Sequence, residues 1–109
     1  MRILLSLALG ALVSSTGEVS GAETLALWDK HCVACHEKDG SGNTKMGKKV
    51  EAKDYRDPKV QESMKEPEAI KSIKNGLKEK GIERMKPFAD KLTDDEIKAL
   101  IAHMRTFKK

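Results

Sequence analysis

The clearest pattern of apolar and polar positions lies near the carboxyl end of the chain. Its apolar residues recur at the i, i+3, i+4, i+7 spacing of one helical face, namely Ile97, Leu100, Ile101 and Met104. Thr93 and Glu96 stand at the two positions of a capping box, Thr-x-x-Glu, which marks a helix start. The pattern predicts a helix that begins after Thr93 and packs one face into a core.

Shorter patterns predict three further helices, over 23–36, 57–64 and 66–76. The apolar residues that set their periods are Leu25, Trp28 and Cys32, then Val60 and Met64, then Ile70, Ile73 and Leu77. Prolines at the starts of the second and third helices suit a first helical turn. The segments 37–55 and 78–92 are rich in turn formers and are predicted to be loops, and no convincing strand is found. The fold class is therefore predicted to be all-α.

The composition indicates that this chain is short of core material. Hydrophobic residues make up 39% of it and charged residues 35%, with one Trp, one Tyr and two Phe. A small domain of this kind is marginally stable, and its composition approaches that of disordered chains unless something large and apolar fills the centre. The composition therefore favours a domain whose centre is filled by a large apolar group.

The amino terminus resembles a secretory signal peptide. Arg2 provides the positive charge, 3–13 is an apolar run shorter than the ~20 residues of a membrane span, and Ser20-Gly21-Ala22 offers a cleavage site. We expect a signal peptide at 1–22 and a mature domain at 23–109, located in the periplasm or otherwise exported. The alternative is an uncleaved amino-terminal tether.

Cys32-Val33-Ala34-Cys35-His36 is the strongest chemical motif, and C-x-x-C-H is typical of covalent haem attachment. The two thiols lie one helical turn apart and can each bond to a vinyl group of the porphyrin. His36 then follows as an axial ligand of the iron. One motif predicts one haem c per chain, which would also supply the missing apolar centre.

Two other interpretations of C-x-x-C remain open at this point: a redox-active disulfide and half of a zinc site. A thioredoxin-like motif should follow a strand, and no alternating β-branched run precedes Cys32. A structural zinc needs four ligands, and the only thiols and imidazoles are those of Cys32, Cys35, His31, His36 and His103. Haem attachment is favoured because His36 follows Cys35 directly.

The mature chain resembles a class I monohaem cytochrome c of the small bacterial, c6-like kind. The similarity rests on the C-x-x-C-H motif, on Met85-Lys86-Pro87-Phe88, and on Leu92-Thr93-Asp94-Asp95-Glu96, and it covers essentially all of 23–109. It implies four or five helices wrapped around one covalently bound haem. In this family the terminal helices cross through aromatic residues, and Trp28 occupies the aromatic position of the first helix.

The resemblance also implies that a methionine is the second axial ligand, and Met85 occupies the family's position. Met64 is the next candidate, although its helical pattern favours packing. Met104 shares the apolar stripe of the last helix, and Met46 follows His36 by only a short loop. The site is thus expected to comprise Cys32 and Cys35 as covalent attachments and His36 and Met85 as iron ligands.

Three positions depart from the family pattern. Lys86 separates Met85 from Pro87, where the family usually has Met-Pro. His103 stands where the last helix usually carries an aromatic residue, and we expect it to pack rather than ligate. No proline supplies the carbonyl that usually holds the proximal histidine, so carbonyls of 45–47 are the candidates for bonding the second nitrogen of His36.

These features predict an electron carrier rather than an enzyme. His/Met ligation fills both axial positions and raises the reduction potential relative to two histidines. The formal charge of +4 and lysines in the loops suit transient complexes of a monomer with acidic redox donors and acceptors, and any membrane association would come through those partners. Interspersed acidic residues make nucleic acid an unsuitable partner. The alternatives are a haem sensor or peroxidase-like protein with an open sixth position, and a module tethered to an oxidase.

Overall fold

The structure is a computed structural model that describes Gly10 and residues 18–109. Most of the predicted signal peptide, 1–9 and 11–17, lies outside the described residues. Within the part that is described, no helix has both the length and the apolar character that a membrane crossing requires.

The described residues form six helices and one β-hairpin, which confirms the predicted all-α class with one small addition. In chain order the elements are α1 (Gly21–His31), α2 (Val33–His36), α3 (Lys45–Val50), α4 (Pro58–Ser63), α5 (Glu66–Asn75), β1 (Leu77–Glu79), β2 (Ile82–Met85) and α6 (Asp94–Arg105). Helix α6 packs against both α1 and α5, and α3 packs against α2 and β2.

The predicted capping box of α6 is present. The backbone N–H of Thr93 donates to Glu96 Oε1 at 2.8 Å, and the N–H of Glu96 donates to Thr93 Oγ1 at 3.1 Å. The four apolar residues of the predicted stripe are all buried. Together with residues of α1, α5 and the segment before α6 they form the core, which comprises Trp28, Cys32, Ile73, Phe88, Leu92, Ile97, Leu100, Ile101 and Met104.

The first predicted helix, 23–36, is divided in two. Helix α1 begins two residues earlier than predicted because Ser20 Oγ accepts a hydrogen bond from the N–H of Glu23 at 3.1 Å. The predicted cleavage site after Ala22 therefore lies inside α1. The break falls at Cys32, where φ is −116°, and α2 continues the chain for one turn to His36.

Two predicted loops contain regular structure. Helix α3 lies within 37–55, and its N-cap is Thr44, whose Oγ1 accepts from the N–H of Gly47 at 2.8 Å. The hairpin lies in the predicted loop 78–92 apart from its first residue, Leu77. Its two-residue turn is Lys80-Gly81, both with positive φ, which suits a tight antiparallel turn. The prediction that Leu77 belongs to a helical stripe was wrong, because α5 ends at Asn75 and Leu77 lies on β1, 38% exposed.

Helix α1 meets the end of the chain through aromatic contacts. The ring centroids of Trp28 and His103 lie 5.3 Å apart in an edge-on arrangement, and those of Trp28 and Phe107 are also 5.3 Å apart. His103 therefore packs, as predicted, in the place where an aromatic ring was expected. This contact joins the element before the C-x-x-C-H motif to the last described helix.

Substitution of Gly47 by alanine is expected to destabilise the fold, because a Cβ there would collide with the carbonyl oxygens of Cys35 and Gly42. We expect the free energy of unfolding to fall by about 1–3 kcal/mol, as for other overpacked sites. Denaturant titration of the purified protein measures this. Lys48→Ala, an exposed position of the same helix, is the matched control and should change the free energy by less than about 0.5 kcal/mol. Equal effects of the two substitutions would contradict the packing of α3 on α2.

Candidate cofactor site

The C-x-x-C-H motif spans the junction between α1 and α2. The N–H of Cys32 donates to the Trp28 carbonyl at 2.9 Å, and the N–H of His36 donates to the Cys32 carbonyl at 2.8 Å. Cys32 is buried, Cys35 is partly buried, and both are free thiols. One helical turn thus presents two thiols and an imidazole from a segment of five residues.

The environment of Cys32 does not suit a redox-active dithiol. Burial, with a contribution from nearby Cys35, raises the pKa of the Cys32 thiol to about 12. Dithiol oxidoreductases lower the pKa of their reactive cysteine, because the thiolate is the nucleophile. The zinc interpretation also lacks support, since no group of three or more suitable side chains in the described ranges could hold a metal ion.

The surroundings of His36 favour an uncharged imidazole ring. Its ring lies 5.9 Å from that of Trp28 and 5.6 Å from that of Tyr55, between centroids. Burial lowers its pKa, which favours the uncharged imidazole that binds iron. Its Nδ1 atom is buried and has no hydrogen-bond partner. The predicted bond to a carbonyl of 45–47 is therefore absent from the described residues, and the Gly47 carbonyl accepts instead from the N–H of Ala52 at 2.8 Å.

The loop after the motif fixes the orientation of α2. Trp28 Nε1 donates to the Glu37 carbonyl at 3.2 Å, and the N–H of Gly42 donates to the His36 carbonyl at 3.0 Å. Thr44 Oγ1 donates to the Ala34 carbonyl at 2.7 Å. These bonds satisfy carbonyls at the end of α2 that a helix of one turn would otherwise leave unpaired. Thr44 was not identified from the sequence, although threonine is a common N-cap residue.

Met85 lies at the end of β2, where the sequence predicted an irregular loop. It is partly buried, packs against the core and pairs with Leu77 across the hairpin. Gly76, with φ of +74°, allows this approach, since a Cβ there would lie 2.7 Å from the Met85 carbonyl oxygen. Beyond Met85, the N–H of Phe88 donates to the Ile73 carbonyl at 2.9 Å. The position of Met85 is therefore fixed before it by the hairpin and after it by the hydrogen bond of Phe88 to α5.

The other described methionines occupy different environments. Met104 is buried in the core, as predicted, and Met64 is partly buried against that core. Met46 lies on α3 and is 48% exposed. Of these, only Met85 combines partial burial with a position on a strand that packs against α3.

The donor set fits a haem of the c type. Two thiols are spaced for two thioether bonds, a neutral imidazole follows them, and a thioether sulfur is available on β2.

Comparisons with known proteins agree with this chemistry. The family model described as cytochrome c oxidase, cbb3-type, subunit III matches residues 20–104. A solved structure named KustC0563 c-type cytochrome is 33% identical, covers 79% of this chain and 98% of its own, and has a TM-score of 0.67. A tyrosine-to-phenylalanine mutant of Kustc0563 is 34% identical, covers 78% of this chain and 98% of its own, and has a TM-score of 0.68. The search of curated proteins found no match.

Proposed function

This chain belongs to the cytochrome c family represented by the cbb3-type subunit III model, with a covalently bound haem c, and from this premise we propose that it is an exported monomeric carrier of single electrons. In the proposal, Cys32 and Cys35 are the covalent attachments, and His36 and Met85 are the two axial ligands. Haem-based electron carriage is the activity of this family, whereas the ligands, the compartment and the monomeric state belong to the proposal.

The observation that supports this ligation is that both donors are held by rigid elements. His36 ends α2, and its carbonyl accepts a hydrogen bond from the N–H of Gly42 at 3.0 Å. Met85 ends β2 and is held by the hairpin and by the anchored segment that follows it. Ligands held in place need little rearrangement when the iron changes its oxidation state.

Each side chain of the site has a defined task. Cys32 and Cys35 would hold the haem covalently, each by adding its S–H across one vinyl group. His36 would bind the iron through a nitrogen of its neutral ring, and Met85 would bind it through its sulfur. Haem iron supplies the one-electron chemistry between its ferric and ferrous states. Filled axial positions leave no open site for oxygen or peroxide.

The charge distribution supports brief encounters with acidic partners. The chain carries a formal charge of +4, and removing the predicted signal peptide takes away one residue of each sign, Arg2 and Glu18. Lysines lie on α3, on the hairpin and before α6, namely Lys45, Lys48, Lys49, Lys78, Lys80, Lys86 and Lys91. Electrostatic attraction of this kind speeds association and leaves complexes small and short-lived.

Optical spectroscopy of the haem-loaded protein tests the proposal. We expect low-spin spectra in both oxidation states, a methionine–iron charge-transfer band in the ferric protein, and no binding of carbon monoxide. A high-spin spectrum with rapid carbon monoxide binding would contradict His/Met ligation and support a sensor or peroxidase-like protein. Sequencing the amino terminus of the exported protein checks the cleavage after Ala22.

A further inference from the structure

Arg84 is a largely buried arginine, and one of its donors has no acceptor in the described residues. It lies on β2 next to Met85, and its side chain is 12% exposed. Its Nη1 atom lies 3.4 Å from the Val50 carbonyl oxygen and 3.5 Å from Glu51 Oε2. Its Nε atom is buried and has no hydrogen-bond partner in the described residues.

Arg56 is an arginine of the same molecule whose guanidinium is paired with a carboxylate. Its Nε and Nη2 atoms donate to the two oxygens of the Asp54 carboxylate at 3.0 and 2.9 Å, although its side chain is 33% exposed. Arg84 is more deeply buried, yet its contacts are long, and Glu51 is 76% exposed. A buried guanidinium is costly unless it is paired, and its planar donors match a carboxylate. Beyond the long ion pair with Glu51, Arg84 therefore lacks an acceptor for its Nε–H in the described residues.

The location of Arg84 indicates what that acceptor is. Through Val50 and Glu51 it joins β2 to α3, and α3 packs against α2, which carries the end of the haem motif. Arg84 reaches toward α3 whereas Met85 packs against the core, as alternation along a strand dictates. On a porphyrin the iron is central and the two propionate carboxylates are peripheral. Because Met85 and Arg84 point to opposite faces of β2, Met85 can bind the iron while Arg84 reaches a propionate.

We propose that Arg84 binds a haem propionate through its Nε–H, an inference that rests on the proposed ligation by His36 and Met85. Arg84 is then a positioning residue that holds the cofactor edge and sets the charge beside it. The ion pair keeps the propionate ionised and offsets its negative charge. Without Arg84, an uncompensated carboxylate would stabilise the ferric state, and it would titrate near neutral pH.

Potentiometric titration of the haem-loaded protein between about pH 5 and pH 8 tests this role. At pH 7 we expect Arg84→Gln to shift the equilibrium toward the ferric state about tenfold, a decrease of 59 mV for one electron. We also expect its potential to fall with rising pH across that range, while the wild-type potential stays constant. Arg84→Lys keeps the charge and should recover most of the shift. Arg56→Gln, which removes an arginine paired on the surface, is the matched control and should leave the potential unchanged.

A second measurement uses the wild-type protein alone, so it does not depend on the folding of a variant. In a ¹⁵N-correlated spectrum, the Nε–H signal of Arg84 should exchange slowly with water and shift as the propionate is protonated. A rapidly exchanging Nε–H, or equal potentials for Arg84→Gln and Arg56→Gln, would overturn the proposal. Neither result would affect His/Met ligation, which is read from the charge-transfer band. Conversely, absence of the methionine–iron charge-transfer band would refute His/Met ligation, and the pH dependence of the reduction potential could still be measured.

Discussion

Replacing Met85 by alanine is expected to abolish the methionine–iron charge-transfer band and to open the iron to carbon monoxide. The sulfur of Met85 is the one that the fold holds on β2, between the hairpin and the anchored Phe88. A thioether ligand favours ferrous iron, so its loss should also lower the reduction potential. We expect a shift of at least about tenfold in the ferrous–ferric equilibrium, 59 mV or more. Ferric absorption spectra, carbon monoxide titration and potentiometry measure the three effects.

Met64→Ala is the control for this experiment. Met64 is the next candidate ligand from the sequence, it is also partly buried, and it packs against the same core. Its replacement should lower stability and leave the charge-transfer band in place. If the band survived in Met85→Ala and disappeared in Met64→Ala, the assignment of the sixth ligand would have to move to Met64.

The haem-free chain is expected to be largely unfolded. The buried apolar residues of the described region number nine, and one of them, Cys32, belongs to the proposed attachment site. Charged residues make up 35% of the chain, so little apolar surface is available to offset the conformational entropy of ordering it. A ligand that binds only the native state adds its binding free energy to stability. We therefore expect loss of haem to remove most of a stability that is typically about 5–15 kcal/mol.

The double variant Cys32→Ala, Cys35→Ala, which has no thiol for attachment, is the test. We expect weak helical circular dichroism and no cooperative thermal transition. The single variant Cys35→Ala retains one attachment point and serves as the control, since it should keep both haem and a cooperative transition. A cooperative transition of the haem-free double variant would show that the protein core is sufficient by itself.

The sequence predicted the elements whose signals are local. The stripe and capping box of α6, the Asp57-Pro58 start of α4 and the stop of α5 at Gly76 all depend on residues within a few positions of one another. The C-x-x-C-H motif is local in the same sense. The helix features were predicted correctly because helix caps and stops need no distant partner.

The features that sequence reasoning missed depend on contacts between distant segments or on weaker turn signals. Thr44 caps α3 and also bonds the carbonyl of Ala34, ten positions earlier in the chain. The hairpin has short strands and a Lys80-Gly81 turn that lacks the usual asparagine. Arg84 is one of many basic residues in the sequence, and only the packing of β2 on α3 shows that it is buried.

The contact between α1 and α6 also bears on the order in which this molecule folds. Trp28 comes from the first described helix, whereas its ring partners His103 and Phe107 lie in α6 and just after it, far along the chain. A nascent chain that ends at α5 therefore lacks one wall of its core, and long-range contacts of this kind form late. Until α6 docks, Cys32 and Cys35 are not covered by a finished core. Because the haem-free chain is expected to be largely unfolded, both thiols should stay accessible to the attachment machinery of the cell, and the core should close only after attachment.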